Sequence, residues 1–156
     1  MNTPHQDAIV GQVTTEPRTV VVRGRADGFA QDISVAEHRF TSDEPRTVGG
    51  GDTGPTPYDL LLAALGACTS MTLGLYARRH KWPLDTVTVR LRHSKVHAQD
   101  CMNCDSNQAM LDHIECRIEL GGSLSEEQRA KLLEIANKCP VHRTLTSKIH
   151  IDTRLA

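Results

Sequence analysis

The chain has 156 residues, of which 38% are apolar and only 3% aromatic. That is enough for one globular domain with a core of Leu, Ile, Val and Ala, and too apolar for a disordered chain. A net charge of −1 removes any electrostatic argument for nucleic acid or an anionic membrane as partner. The start, MNTPHQDAIVGQ, has neither the basic nor the apolar region of a signal peptide. The strongly apolar stretch from Leu60 to Cys68 is expected to be too short to cross a bilayer. Five cysteines are therefore expected in a reducing, cytoplasmic setting, where catalysis or metal binding comes to mind before structural disulfides.

One domain is expected over 1–156, with residues 1–17 as a loose lead-in holding two prolines. The β-branched run from Thr19 to Arg25 predicts a strand, and Phe29 to Phe40 has room for two more. Glycine and proline make 41–57 a loop. A helix follows from Pro57, with Leu61, Ala64, Leu65, Cys68, Thr72 and Leu75 spaced as its buried face, and it ends before Trp82-Pro83.

Val87, Val89 and Leu91 alternate with polar residues as in a half-buried strand, and Ile114, Cys116, Ile118 and Leu120 do the same. A polar loop with Cys101 and Cys104 lies between them. Ser125 and Gln128 form a capping-box pattern ahead of a helix with Leu132, Leu133, Ile135 and Ala136 on its apolar side. Cys139-Pro140 stops that helix, and Ile149 to Leu155 predicts a last strand. Strands and helices come in separate runs, an α+β pattern.

Each cysteine has its own context. Cys116 shares the parity of Ile114, Ile118 and Leu120, and is expected to fill core. Cys68 lies about three turns into its helix, beyond the favourable end of the helix dipole. A reactive thiol is a thiolate, so Cys68 needs a cation from elsewhere, with Arg23 and Arg25 as candidates. Pro140 suits the first position of a new helix, which makes Cys139 its N-cap. Thiols in that setting are acidified and exposed, with His142 and Arg143 close by in sequence. Cys101 and Cys104, with His93 and His97 upstream, are compatible with zinc. A redox pair or bystander thiols fit this single C-x2-C better, so no metal is expected. GGGDTG lacks the G-K-[ST] ending of a phosphate-binding loop.

Two blocks carry a family resemblance: GGGDTGPTPYDLLLAALGACTSMTLGLYARRHKWPL (49–84) and EIANKCPVHRTL (134–145). With VTVRLRHSKVHAQDC between them, they resemble the two cysteine motifs of the OsmC/Ohr superfamily, especially its OsmC-like branch. The resemblance implies an α+β fold in which antiparallel sheets wrap around central helices. It also implies an intertwined homodimer with two active sites at the subunit interface. Cys68 would attack a hydroperoxide and become a sulfenic acid, and Cys139 would condense with it to a disulfide. A dithiol reductant, in relatives often a lipoyl-bearing protein, would restore the pair, with no cofactor required.

Family members also use an arginine near the N-terminus and a glutamate before the cysteine helix. Arg25 resembles the arginine position, with Arg23 second. Tyr58 stands at the glutamate position, with Asp59 beside it as the candidate acid. Arg23, Tyr58, Leu65 and Met71 are the residues expected to contact substrate. A non-catalytic protein holding a small ligand on the same fold is the alternative that the Tyr58 departure motivates.

Overall fold

The structure, a computed structural model, describes residues 18–97 and 110–156. The chain divides between Thr56 and Pro57 into two compact units. The element types are those expected of an α+β chain, with antiparallel sheets and helices.

The N-terminal unit is built on β1 (Val20–Gly24), β2 (Gln31–Val35) and β3 (His38–Ser42), paired antiparallel in that order. The register sets Val22 opposite Ile33 and Ile33 opposite Phe40, so one face of the sheet is apolar. Arg23, Asp32 and Thr41 pair across the other face. The β2–β3 turn had no glycine to announce it. Ala36 makes it, with a φ of 52°, a conformation rare for a residue with a side chain.

The loop after β3 is organised by one carboxylate. Asp43, 2% exposed, accepts hydrogen bonds from the Glu44, Gly51 and Thr53 backbone N–H groups and from Thr53 Oγ1, at 2.8 to 3.2 Å. The Thr53 hydroxyl and then these N–H groups hold its pKa below the ordinary carboxylate range.

In the C-terminal unit the central element is α1 (Pro57–His80). Pro57 occupies its first position, where no N–H is needed, and Asp59 places negative charge at the dipole's positive end. Lys81, at φ 55°, closes the helix. The Trp82 N–H then bonds back to Ala77 O at 2.9 Å, and Pro83 prevents continuation.

The hairpin of β4 (Thr86–His97) and β5 (Met110–Gly121) faces this helix. Val87, Val89 and Leu91 pair with Leu120, Ile118 and Cys116 on one face. The opposite face carries the Arg90–Glu119 and Arg117–Glu115 ion pairs. Gly66 lets α1 lie close to β4, because a Cβ there would come within 2.8 Å of a Leu91 methyl.

α2 (Glu126–Ala136) starts at the expected capping box, with both the Ser125 and Gln128 hydrogen bonds formed. Leu73, Leu124, Leu132 and Ala136 make the core, with Tyr76, Trp82, Val87 and Ile118 packed around it. Burying Leu73 and Leu132 completely contributes about 2 kcal/mol each. α3 (Pro140–Leu145) packs against α1.

Three expectations are corrected here. Residues 149–155 form no strand and are exposed, so the alternation of Ile149 and Ile151 is not used for strand pairing among the described residues. The apolar segment is longer than Leu60 to Cys68. An 18-residue window of α1 has a mean hydropathy of 1.7 and passes as a membrane span by length and composition only, as the core helix of a soluble protein also does.

The third correction concerns which face of α1 is buried. Leu65, Gly66, Thr69, Leu73 and Ala77 are buried, while the expected Leu61 and Leu75 are exposed. The buried stripe lies about 100° around the helix from the expected one, one residue's turn. α1 therefore has two apolar stripes, and the described residues cover only one.

Candidate active site

Cys139 ends the approach from α2 and caps α3. Its backbone is extended, and Pro140 follows at the first helical position, as local sequence requires. Cys139 Sγ accepts the His142 backbone N–H at 3.3 Å. Thr69 Oγ1, on α1, lies 3.5 Å from the same sulfur. The expected exposure is corrected: Cys139 is 0% exposed, because α3 is packed against α1 rather than standing in solvent. The donor at the sulfur is the main chain of His142, one of the N–H groups that a helix start leaves free.

Cys68 is half-buried. It precedes Thr69 on α1 and stands with Leu61 and Leu75 on the stripe left largely open. Its carbonyl accepts the Thr72 hydroxyl at 2.7 Å. Leu65 is buried at 6% exposure, whereas Met71 is 72% exposed. Met71 lines a groove of about 420 Å³ with Ser70, Gly74, Arg78, Trp82 and Leu84.

Cys116 has the parity expected of it but not the burial. It faces the same way as Ile118 and Leu120 and is nevertheless exposed. The core gathers around Ile118 and Leu120, and Cys116, opposite Leu91, lies further along the ribbon than that core extends. Partial burial of the thiol, and then the charge of Cys139, push its pKa up. Cys116 thus lies within electrostatic reach of Cys139.

The start of α1 holds a separate group. The Tyr58 ring stacks on His93 at 4.4 Å between centroids, and His93 Nε2 lies 2.7 Å from Asp112 Oδ1. The bond with His93, and then the charge of Lys95, lower the Asp112 pKa. Tyr58 and Asp59 precede Cys68 by ten and nine residues, which is roughly 15 Å of helix rise. Neither side chain spans that distance along its own helix. The His93 ring is committed to Tyr58 and Asp112. Cys101 and Cys104 lie outside the described residues. Among the described residues no three His, Cys, Asp or Glu side chains gather as a metal site.

The two candidate arginines belong to the N-terminal unit. Arg25 follows β1 and makes a two-pronged ion pair with Asp27, at 3.1 Å for each bond. Arg25 lowers the Asp27 pKa. Arg23, on the polar face of the sheet, lines a groove of about 330 Å³ with Asp32, Ser34, Arg39 and Phe40. Sequence reasoning missed Thr69. The available signal was a hydroxyl placed among apolar residues on a helix face.

The sequence profile of the family described as "OsmC-like protein" matches residues 49–154. Three solved structures show what the fold is similar to. An OsmC-like protein from Mycoplasma pneumoniae aligns with a TM-score of 0.65 at 21% identity, over 82% of this chain and 86% of that one. An organic hydroperoxide resistance protein from Legionella pneumophila gives 0.62 at 17%, over 83% and 88%. The organic hydroperoxide resistance protein of Bacillus subtilis gives 0.58 at 20%, over 83% and 90%. No curated protein sequence matches.

Proposed function

The chain belongs to the OsmC-like protein family, and from that premise we propose that it is a thiol-dependent peroxidase acting on organic hydroperoxides, with Cys68 and Cys139 as its redox pair. The observation that carries this reading is the contact from Thr69, the neighbour of Cys68, to Cys139 Sγ. It brings the helix that carries Cys68 against Cys139, 70 residues after Thr69 in the chain.

In this reading the Cys68 thiolate attacks the peroxide oxygen. The O–O bond breaks, the alcohol leaves after taking a proton, and Cys68 becomes a sulfenic acid. Cys139 attacks that sulfur, a disulfide forms, and hydroxide leaves as water. A dithiol then returns both sulfurs to the reduced state by exchange. Hydroperoxide resistance in the names of the Legionella and Bacillus proteins supports this substrate class. A reducing, cytoplasmic setting suits a pair that must be re-reduced after each turnover.

A second copy of the chain completes the site. Tyr58, Leu61, Met71 and Leu75 are all exposed, a stripe that a partner's apolar surface would cover. An acid at the start of α1 can serve a Cys68 only from the other copy, since it cannot reach along its own helix. Asp59 is the candidate for that role, and Arg25 or Arg23 for the cation that favours the Cys68 thiolate. Exchanging the Asp27 partner for the thiolate is an inexpensive step for Arg25, because an ion pair this exposed is screened by solvent and stabilises little. Leu65 and Met71 supply apolar contacts for the organic group of the substrate.

The test is consumption of cumene hydroperoxide with a dithiol as electron donor. The wild-type protein turns over, and Cys68→Ser falls to the uncatalysed background. Wild-type turnover by Cys68→Ser ends the proposal.

A further inference from the structure

The hydroxyl of Thr69 has no packing reason to be where it is. The residue is 2% exposed on the covered stripe of α1, a place that valine would fill with the same shape. Burying a hydroxyl costs free energy unless it is hydrogen-bonded. Its bond crosses from α1 to α3, to the Sγ of a cysteine that is itself fully buried. The His142 N–H reaches the same sulfur from α3.

The two donors differ in one useful way. A backbone N–H can only donate, whereas a hydroxyl rotates and can either donate or accept. Thr69 can accept from a Cys139 thiol and donate to a Cys139 thiolate without moving its oxygen. A sulfur that changes protonation state within a catalytic cycle needs such a partner, and a purely structural thiol does not.

We propose that Thr69 is a positioning residue for Cys139: its buried hydroxyl and the His142 N–H together fix the resolving sulfur for its attack on oxidised Cys68. The inference rests on the peroxidase reading for the identity of the electrophile. In the step it assists, the Cys139 thiolate attacks the Cys68 sulfenic sulfur. The S–S bond forms as the S–O bond breaks, and hydroxide takes a proton to leave as water. No oxidant beyond the hydroperoxide is required. Among the described residues, the titratable residues tied to Cys139 are Cys116 on β5, whose pKa the Cys139 charge raises, and His142 on α3, whose backbone N–H its sulfur accepts.

The test uses protein in which Cys68, Cys101, Cys104 and Cys116 are replaced by serine, leaving Cys139 alone. The ultraviolet absorbance of its thiolate, which needs no reagent to enter the buried site, is followed against pH. With Thr69→Val the midpoint moves up by about one unit. Thr69→Ser stays with the parent. An unchanged profile in the valine variant overturns the inference. If circular dichroism shows that the valine variant is unfolded, Thr69→Ala takes its place in the same titration.

With all cysteines present, Thr69→Val leaves the rate of Cys68 oxidation unchanged and slows disulfide formation about tenfold. The sulfenic acid then accumulates and is trapped by dimedone. Disulfide formation at the wild-type rate overturns the inference. If the wild-type protein forms neither sulfenic acid nor disulfide, the peroxidase reading fails, and the titration still decides the role of Thr69.

Discussion

Cys139 and Cys116 lie within electrostatic reach of each other, and the fold treats the two thiols in opposite ways. Cys139 is sealed from solvent, its sulfur accepts the His142 N–H, and the Thr69 hydroxyl lies within hydrogen-bond reach. Cys116 is exposed, and burial of its thiol together with the Cys139 charge pushes its pKa up. A raised thiol pKa means less thiolate at neutral pH, with nucleophilic character returning only as the pH climbs above the ordinary cysteine range. Cys116 is therefore an onlooker. Cys116→Ser keeps hydroperoxide turnover within about twofold of wild type, and in the native protein Cys116 is alkylated slowly until the pH is well above neutral. A Cys116→Ser variant without turnover would make it part of the redox pathway. The cap at Cys139 was legible because capping is local: a residue before proline at a helix start declares itself. Thr69 was not legible, because its partner lies 70 residues away.

Among the elements, α1 decides most about the site. Its limits follow from Pro57 and Trp82-Pro83, and periodicity found the helix without difficulty. Periodicity did not find which side faces the chain. A helix apolar on two stripes gives nearly the same pattern for either, and the expected stripe of Leu61, Cys68 and Leu75 is the one left largely open. That open stripe, running past a half-buried Cys68, is what a second copy would cover. In sedimentation the protein is expected at twice the 17.2 kDa chain mass, and Leu75→Glu shifts it toward that of one chain. A wild-type protein sedimenting as a single chain contradicts the dimer. The last expected strand failed for a related reason. Alternation at Ile149 and Ile151 marks a segment able to join a sheet, but strand formation depends on tertiary packing, and this segment is exposed.

For the whole molecule, the legible part was the α+β class and the family, carried by the two cysteine blocks that the OsmC-like profile spans. The division at Thr56 was not visible in the sequence, because the glycine and proline loop before it is folded around Asp43 and does not look like a linker once its hydrogen bonds are formed. That division separates the arginine candidates from the cysteines along the chain. The central claim is that Cys68 and Cys139 are one redox pair. Peptide mapping without reductant, after one equivalent of cumene hydroperoxide, tests it directly. A redox pair gives a loss of about 2 Da assigned to a Cys68–Cys139 disulfide. An unchanged mass with both thiols still open to alkylation after unfolding would contradict it.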